Sequence, residues 1–98
     1  MEIKIQSIHF DATEKLEAYI EKKVAKLEKY EDIQKVEVVL KVVKPATAQN
    51  KEASLSVTAP GTNLFVEKVS DTFEEAIDLS VDSMRVKLQK YKEKSRNY

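Results

Sequence analysis

The run Lys22-Lys23-Val24-Ala25-Lys26-Leu27-Glu28-Lys29-Tyr30 sets four ammonium groups within eight residues. A second basic stretch closes the chain. From Arg85 to Tyr98 the bases are Arg85, Lys87, Lys90, Lys92, Lys94 and Arg96, against the single acid Glu93. Just before it the balance is reversed, with Glu67, Asp71, Glu74, Glu75, Asp78 and Asp82 against Lys68. Acids early and bases late complement a helix dipole, but that effect is confined to the terminal turns, and these bases extend over about three. Cations so close together repel one another unless an anion meets them, and phosphate is the natural candidate. The net charge is zero, so it is the distribution of charge, not its sum, that points to an anionic partner.

Other chemistries find little support. With no cysteine there is no disulfide, thiolate nucleophile or thiolate metal site. The single histidine, His9, follows an apolar stretch with no acid motif to pair with, and reads as a turn residue. The carboxylates sit beside lysines on faces expected to be exposed, whereas acid–base catalysis needs a cleft that raises one pKa. One glycine, Gly61, cannot build a phosphate-cradling loop, and no metal-ligand spacing occurs. The tyrosines and phenylalanines fall mostly on apolar stripes and read as core. The expectation is a binding protein without catalytic residues, cofactor, metal or small-molecule substrate.

The elements that must carry these lysines follow from periodicity. Residues 2–8 alternate apolar and polar as a half-buried strand does. A helix is predicted from residue 12 or 14 to residue 30, capped either by Asp11 with Glu14 or by Thr13, with Leu16, Ile20, Val24 and Leu27 as its buried stripe. On it Lys22, Lys26 and Lys29 share one stripe and Lys23 borders it. From Ile33 to Lys44 the period is two, with Val36, Val38, Leu40 and Val42 on one face. Residues 45–50 read as a loop, Ala53–Ala59 as a third strand, Pro60-Gly61 as a turn and Asn63–Ser70 as a fourth strand. Asp71, with Glu74 as capping-box partner, is expected to open a long helix whose apolar stripe is Phe73, Ile77, Val81, Met84, Leu88 and Tyr91. On that helix Lys87, Lys90 and Lys94 form a stripe, with Arg85 and Lys92 on the adjacent side.

The order β-α-β-β-β-α predicts an α+β fold: a four-stranded sheet, its last three strands an antiparallel meander, with both helices on one face. A chain of 98 residues suits one domain that buries roughly two-thirds of its unfolded surface; residues 94–98 are expected to be a frayed tail. The opening Met-Glu-Ile-Lys-Ile has no basic lead into an apolar stretch, and no apolar run approaches the ~20 residues that span a bilayer. A soluble, cytoplasmic protein without membrane contact is expected.

Several segments, in order, resemble the ribosome hibernation promoting factor family, the ribosome-associated inhibitors also called sigma-54 modulation proteins. They are Thr13-Glu14, Lys23-x-x-Lys26-Leu27-Glu28-x-Tyr30, Val36-x-Val38-Val39-Leu40-Lys41-Val42, Asp71-x-Phe73-x-x-Ala76-Ile77-Asp78 and Leu88-x-Lys90-Tyr91-Lys92-x-Lys94. The resemblance runs from Met1 to about Lys94 and corresponds to the family's short form. It implies a double-stranded-RNA-binding-domain-like fold. It also implies binding to the small ribosomal subunit in the mRNA and tRNA channel, at the A and P sites, and silencing of translation in stationary phase or under stress. By the same resemblance Lys23, Lys26, Lys90, Lys92 and Lys94 contact ribosomal RNA phosphates, reinforced by Lys22, Lys29, Arg85 and Lys87. The chain departs from the family at Ser83 and Val86, where lysine and arginine are usual. Two alternatives carry different partners: a stand-alone double-stranded-RNA binder, and a protein-interaction module without RNA.

Overall fold

The computed structural model describes residues 1–30, 32–43 and 49–96, the last three by backbone alone. The elements are β1 (Glu2–Ile8), α1 (Glu14–Ala25), a 3-10 turn (Lys26–Lys29), β2 (Lys35–Val42), β3 (Lys51–Ala59), β4 (Thr62–Ser70) and α2 (Phe73–Arg96). The sheet order is β1-β2-β3-β4; β1 pairs with β2 in parallel, and the other two pairings are antiparallel. The β-α-β-β-β-α order and the meander are as the periodicity predicted. Most of the loop expected at residues 45–50 lies outside the described residues.

Register places apolar residues opposite one another across the sheet. Ile3 faces Val36, which faces Val57, which faces Leu64; Ile5, Val38, Leu55 and Val66 form the next row. This face carries both helices, and Ile20, Val24, Leu27, Val36, Leu55, Ile77, Met84 and Leu88 join in one buried cluster. The opposite face presents Glu37, Lys41 and Glu67 to solvent together with Phe65 and Val69.

The strand directions dictate how the helices lie. β1, β2 and β4 run the same way, so each helix crosses back over the sheet in the same sense. Side-chain contacts climb both helices together. Phe10, ahead of α1, stacks on Phe73, the first residue of α2, with ring centroids 4.6 Å apart, and further on the Tyr19 hydroxyl donates to Asp78 Oδ1 at 2.7 Å. α1 and α2 are therefore parallel, and their basic ends lie together.

The helix starts refine the sequence reading. Thr13 caps α1, its hydroxyl accepting from the Leu16 N–H at 3.1 Å, which resolves the choice between Thr13 and Asp11. α2 is capped by Thr72, not Asp71: the Glu75 N–H donates to the Thr72 hydroxyl at 3.1 Å. Asp71 instead accepts from the Gln49 N–H at 2.6 Å and ties the approach to β3 to the helix start. A residue one place later can cap as well as its neighbour when both are short and polar. α2 extends to Arg96, into the stretch expected to fray, whose last two residues lie outside those described.

α1 does not run to residue 30 as a regular helix. Its last turn tightens to 3-10, closed by the Tyr30 N–H donating to Leu27 C=O at 3.1 Å. Leu27 still reaches full burial. At the other end of the sheet, Pro60-Gly61 makes a two-residue turn with Gly61 at φ +78°, a left-handed conformation that glycine adopts without strain. The Tyr91 hydroxyl donates to Pro60 C=O at 2.6 Å and locks this turn to α2.

Two stability predictions follow from this packing. Leu27→Ala removes a fully buried side chain between both helices and the sheet and should cost ~2–5 kcal/mol in denaturant unfolding. The Tyr19–Asp78 contact predicts an alkaline transition. The hydrogen bond to Asp78, then burial, push the Tyr19 hydroxyl from 10.0 up to about 12. Because the folded-state value is raised, the stabilisation is complete below pH ~10 and is lost as pH climbs towards 12. Tyr19→Phe should cost about 1 kcal/mol at pH 7. The stability gap between the two proteins should narrow between pH 10 and 12, as read by paired denaturant melts.

Candidate nucleic-acid interface

The parallel helices leave a groove along their line of contact. One part, about 280 Å³, is lined by Lys23, Lys26, Leu27, Lys29, Tyr30, Asp78, Val81, Asp82 and Arg85. A second part, about 330 Å³, continues along α2 between Lys29, Tyr30, Gln89, Lys92 and Glu93. Lys29 and Tyr30 belong to both and stand between them. Leu27 and Val81 make an apolar floor, and cations from both helices form the rim.

The 3-10 turn sets which lysines share this groove. In a continuous α-helix Lys22, Lys26 and Lys29 would lie along one stripe. With three residues per turn, side chains three apart eclipse, so Lys29 comes to stand over Lys26, nearer Lys23. Lys23, Lys26 and Lys29 line the groove, and Lys22 is exposed outside it. Lys23 is half-buried, 3.5 Å from Asp78 Oδ1 and 5.5 Å from the centre of the Tyr19 ring. Lys29 sits 5.8 Å from the centre of the Tyr30 ring.

The bases of α2 separate onto two flanks. Arg85 and Lys92, seven apart, face α1 across the groove. Lys87 is on the other flank, where its ammonium donates to Phe65 C=O at 2.7 Å and covers the outer edge of β4. Lys90 is exposed and three residues from Lys87, so it extends that second flank. The Lys94 side chain lies outside the described residues. Of the eight predicted basic residues whose side chains are described, Lys23, Lys26, Lys29, Arg85 and Lys92 converge, and Lys22, Lys87 and Lys90 stand apart.

Sequence reasoning missed the groove's acids and its tyrosine. Asp78, Asp82, Arg85, Gln89 and Lys92 recur at spacings of four and three, which marks one flank of a helix next to the apolar stripe. That signal was present, but the acids read as dipole complement and Tyr30 as core. Asp78 is committed to Tyr19 and Lys23. The side chains of Asp82 and Arg85 have no hydrogen bond or ion pair among the described residues. Among those residues no group of three or more His, Asp and Glu side chains could hold a metal ion, and no helix is long and apolar enough to cross a membrane.

Comparison with known proteins places the chain in a family. The chain is 32% identical over 98 residues to the ribosome hibernation promoting factor of Pseudomonas putida, covering 99% of this chain and 92% of that one. The ribosome hibernation promoting factor of Azotobacter vinelandii is 34% identical over 95 residues, covering 96% of this chain and 85% of that protein. Among solved structures, the N-terminal domain of Protein Y from Thermus thermophilus superposes with a TM-score of 0.81 at 28% identity, over 93% of this chain and 99% of that one. Residues 3–96 match the family described as Sigma 54 modulation protein / S30EA ribosomal protein, and with this match, its fold and its near full-length relatives the chain belongs to that family.

Proposed function

We propose that this protein is a hibernation factor that binds the small ribosomal subunit and silences it by occupying the channel that mRNA and the A- and P-site tRNAs use. The observation that carries the reading is the groove itself. Five cations supplied by two parallel helices converge on one surface of a chain whose total charge is zero. Such a surface neutralises phosphates with Lys23, Lys26, Lys29, Arg85 and Lys92, Lys90 adds a contact from the second flank, and Lys94 joins them by the family resemblance. Ribosomal RNA is a partner dense enough in phosphate to meet both.

No bond is made or broken in this mechanism. The domain has principal extents of 48 × 23 × 17 Å, long enough to fill a groove between subunit domains. Lodged there it excludes tRNA and mRNA by volume. The cytoplasm, where ribosomes work, is its place of action.

Two outcomes test the proposal. With about five phosphate contacts, log K for the small subunit should fall against log salt with a slope of roughly −3.5 to −4.5. Lys26→Glu with Arg85→Glu, neither of which disturbs the Asp78 clamp, should abolish co-sedimentation with small subunits yet change stability by no more than ~1 kcal/mol. A slope near zero would refute the phosphate reading. Competition tests the mode of silencing. Initiator tRNA with mRNA should displace labelled protein, and the protein should slow initiation-complex formation, because mutual exclusion is reciprocal. Small subunits that carry the protein, P-site tRNA and mRNA together and still translate would place its site elsewhere.

A further inference from the structure

The groove holds groups that phosphate binding does not call for. A surface built only to neutralise a backbone has no use for an unpaired carboxylate on its wall, since that charge repels phosphate. Asp82 nonetheless stands on the groove wall with Lys23, Lys26, Lys29 and Arg85, and no described side chain satisfies it. Its neighbour Asp78 differs, its Oδ1 already meeting the Tyr19 hydroxyl and the Lys23 ammonium. A carboxylate is an acceptor only, and two adjacent N–H donors meet it best. Among the RNA bases, guanine alone offers such a pair on its Watson–Crick edge, at N1 and the exocyclic N2.

The rest of the lining suits a flat ring. Tyr30 gives an aromatic wall, Val81 a small apolar floor above the buried Leu27, and the volume of about 280 Å³ lies just under the usual lower bound for small-ligand pockets, ~300 Å³. Single-stranded RNA is read in this way, by splayed bases that stack on aromatic or arginine planes and hydrogen-bond through their edges. The second cavity, on the far side of Lys29 and Tyr30, offers room for the next nucleotide, with Gln89 and Lys92 beside it. Lys29, at the boundary, is placed for the phosphate that joins the two.

We infer that the α1–α2 groove is a reading site for unpaired RNA, in which Asp82 accepts from the Watson–Crick edge of a guanine, Tyr30 separates it from the adjoining nucleotide, and Lys26, Lys29 and Arg85 hold the flanking phosphates. This rests on the RNA-binding reading above but adds base identity to it: Asp82 is a specificity-determining residue.

The test uses the full chain and five hexanucleotides at low salt: UUGUUU, UUAUUU, UUCUUU, UUUUUU and UUIUUU, where I is inosine, which lacks the N2 amino group. The guanine oligomer should bind tighter than the other standard bases by on the order of tenfold, with inosine in between. Asp82→Asn should erase that preference while binding of UUUUUU holds or strengthens, because a repelling charge has gone. Tyr30→Phe should retain the preference, and Tyr30→Ala should weaken all five. Equal affinity for the five oligomers, or a guanine preference that survives both Asp82→Asn and Asp82→Ala, overturns the inference. Small-subunit binding of the same variants is read separately. If wild-type protein binds subunits but shows no base preference, only the base-reading site is lost. If guanine is preferred but subunits are not bound, the ribosome reading fails and the base-reading site stands.

Discussion

Three strands of the sheet, β1, β2 and β4, run in the same direction, and that forces α1 and α2 to run parallel over it. Everything that makes a candidate site depends on this. Parallel helices carry their C-terminal halves to the same end, and in both helices that half is rich in lysine or arginine. Adjacent parallel dipoles would repel, and bases at the C-terminal ends with acids at the N-terminal ends relieve the conflict within each helix. The charge gradient along α2 thus serves the fold and the surface together. Had the helices been antiparallel, the basic half of one would have faced the acidic start of the other, and no cationic groove would exist.

The Tyr19–Asp78–Lys23 cluster shows how structural and surface demands share residues. Asp78 accepts from Tyr19 and pairs with Lys23, so it fixes the lateral position of α1 against α2 while consuming part of one lysine's charge. The pair is partly exposed, and its net electrostatic contribution is small. The hydroxyl hydrogen bond gives the contact its direction. Lys23 is consequently a poorer free cation than Lys26 or Lys29, and charge reversal there would disturb the helix packing as well as any phosphate contact.

Lys87 shows the opposite division. Its ammonium caps the outer edge of β4 at Phe65 C=O, and an edge so covered resists pairing with another chain. That matters because Phe65 and Val69 on the same strand are exposed apolar residues. Val86, also exposed, occupies the solvent side of α2.

Local and periodic features were readable along the chain. Alternation in residues 2–8, 36–42 and 53–59 and the stripes Leu16-Ile20-Val24-Leu27 and Ile77-Val81-Met84-Leu88 marked three strands and both helices, because each must bury one face and the period records which. From element order the meander and the helix-covered face followed, and the succession of segments from Thr13-Glu14 to Leu88-x-Lys90-Tyr91-Lys92-x-Lys94 carried the family resemblance. Those properties belong to single elements or to their succession. The choice of Thr72 over Asp71 as cap, the tightening of Lys26–Lys29 to a 3-10 turn, and the division of the α2 bases between groove and β4 edge were not readable. Each depends on what a neighbouring segment offers: Gln49 takes Asp71, the fully buried Leu27 lies within the tightened turn, and Phe65 takes Lys87. A one-dimensional pattern records the face of a helix but not which neighbour lies beside it, and it was the packing of α1 against α2 that turned scattered lysines, two aspartates and a tyrosine into one groove.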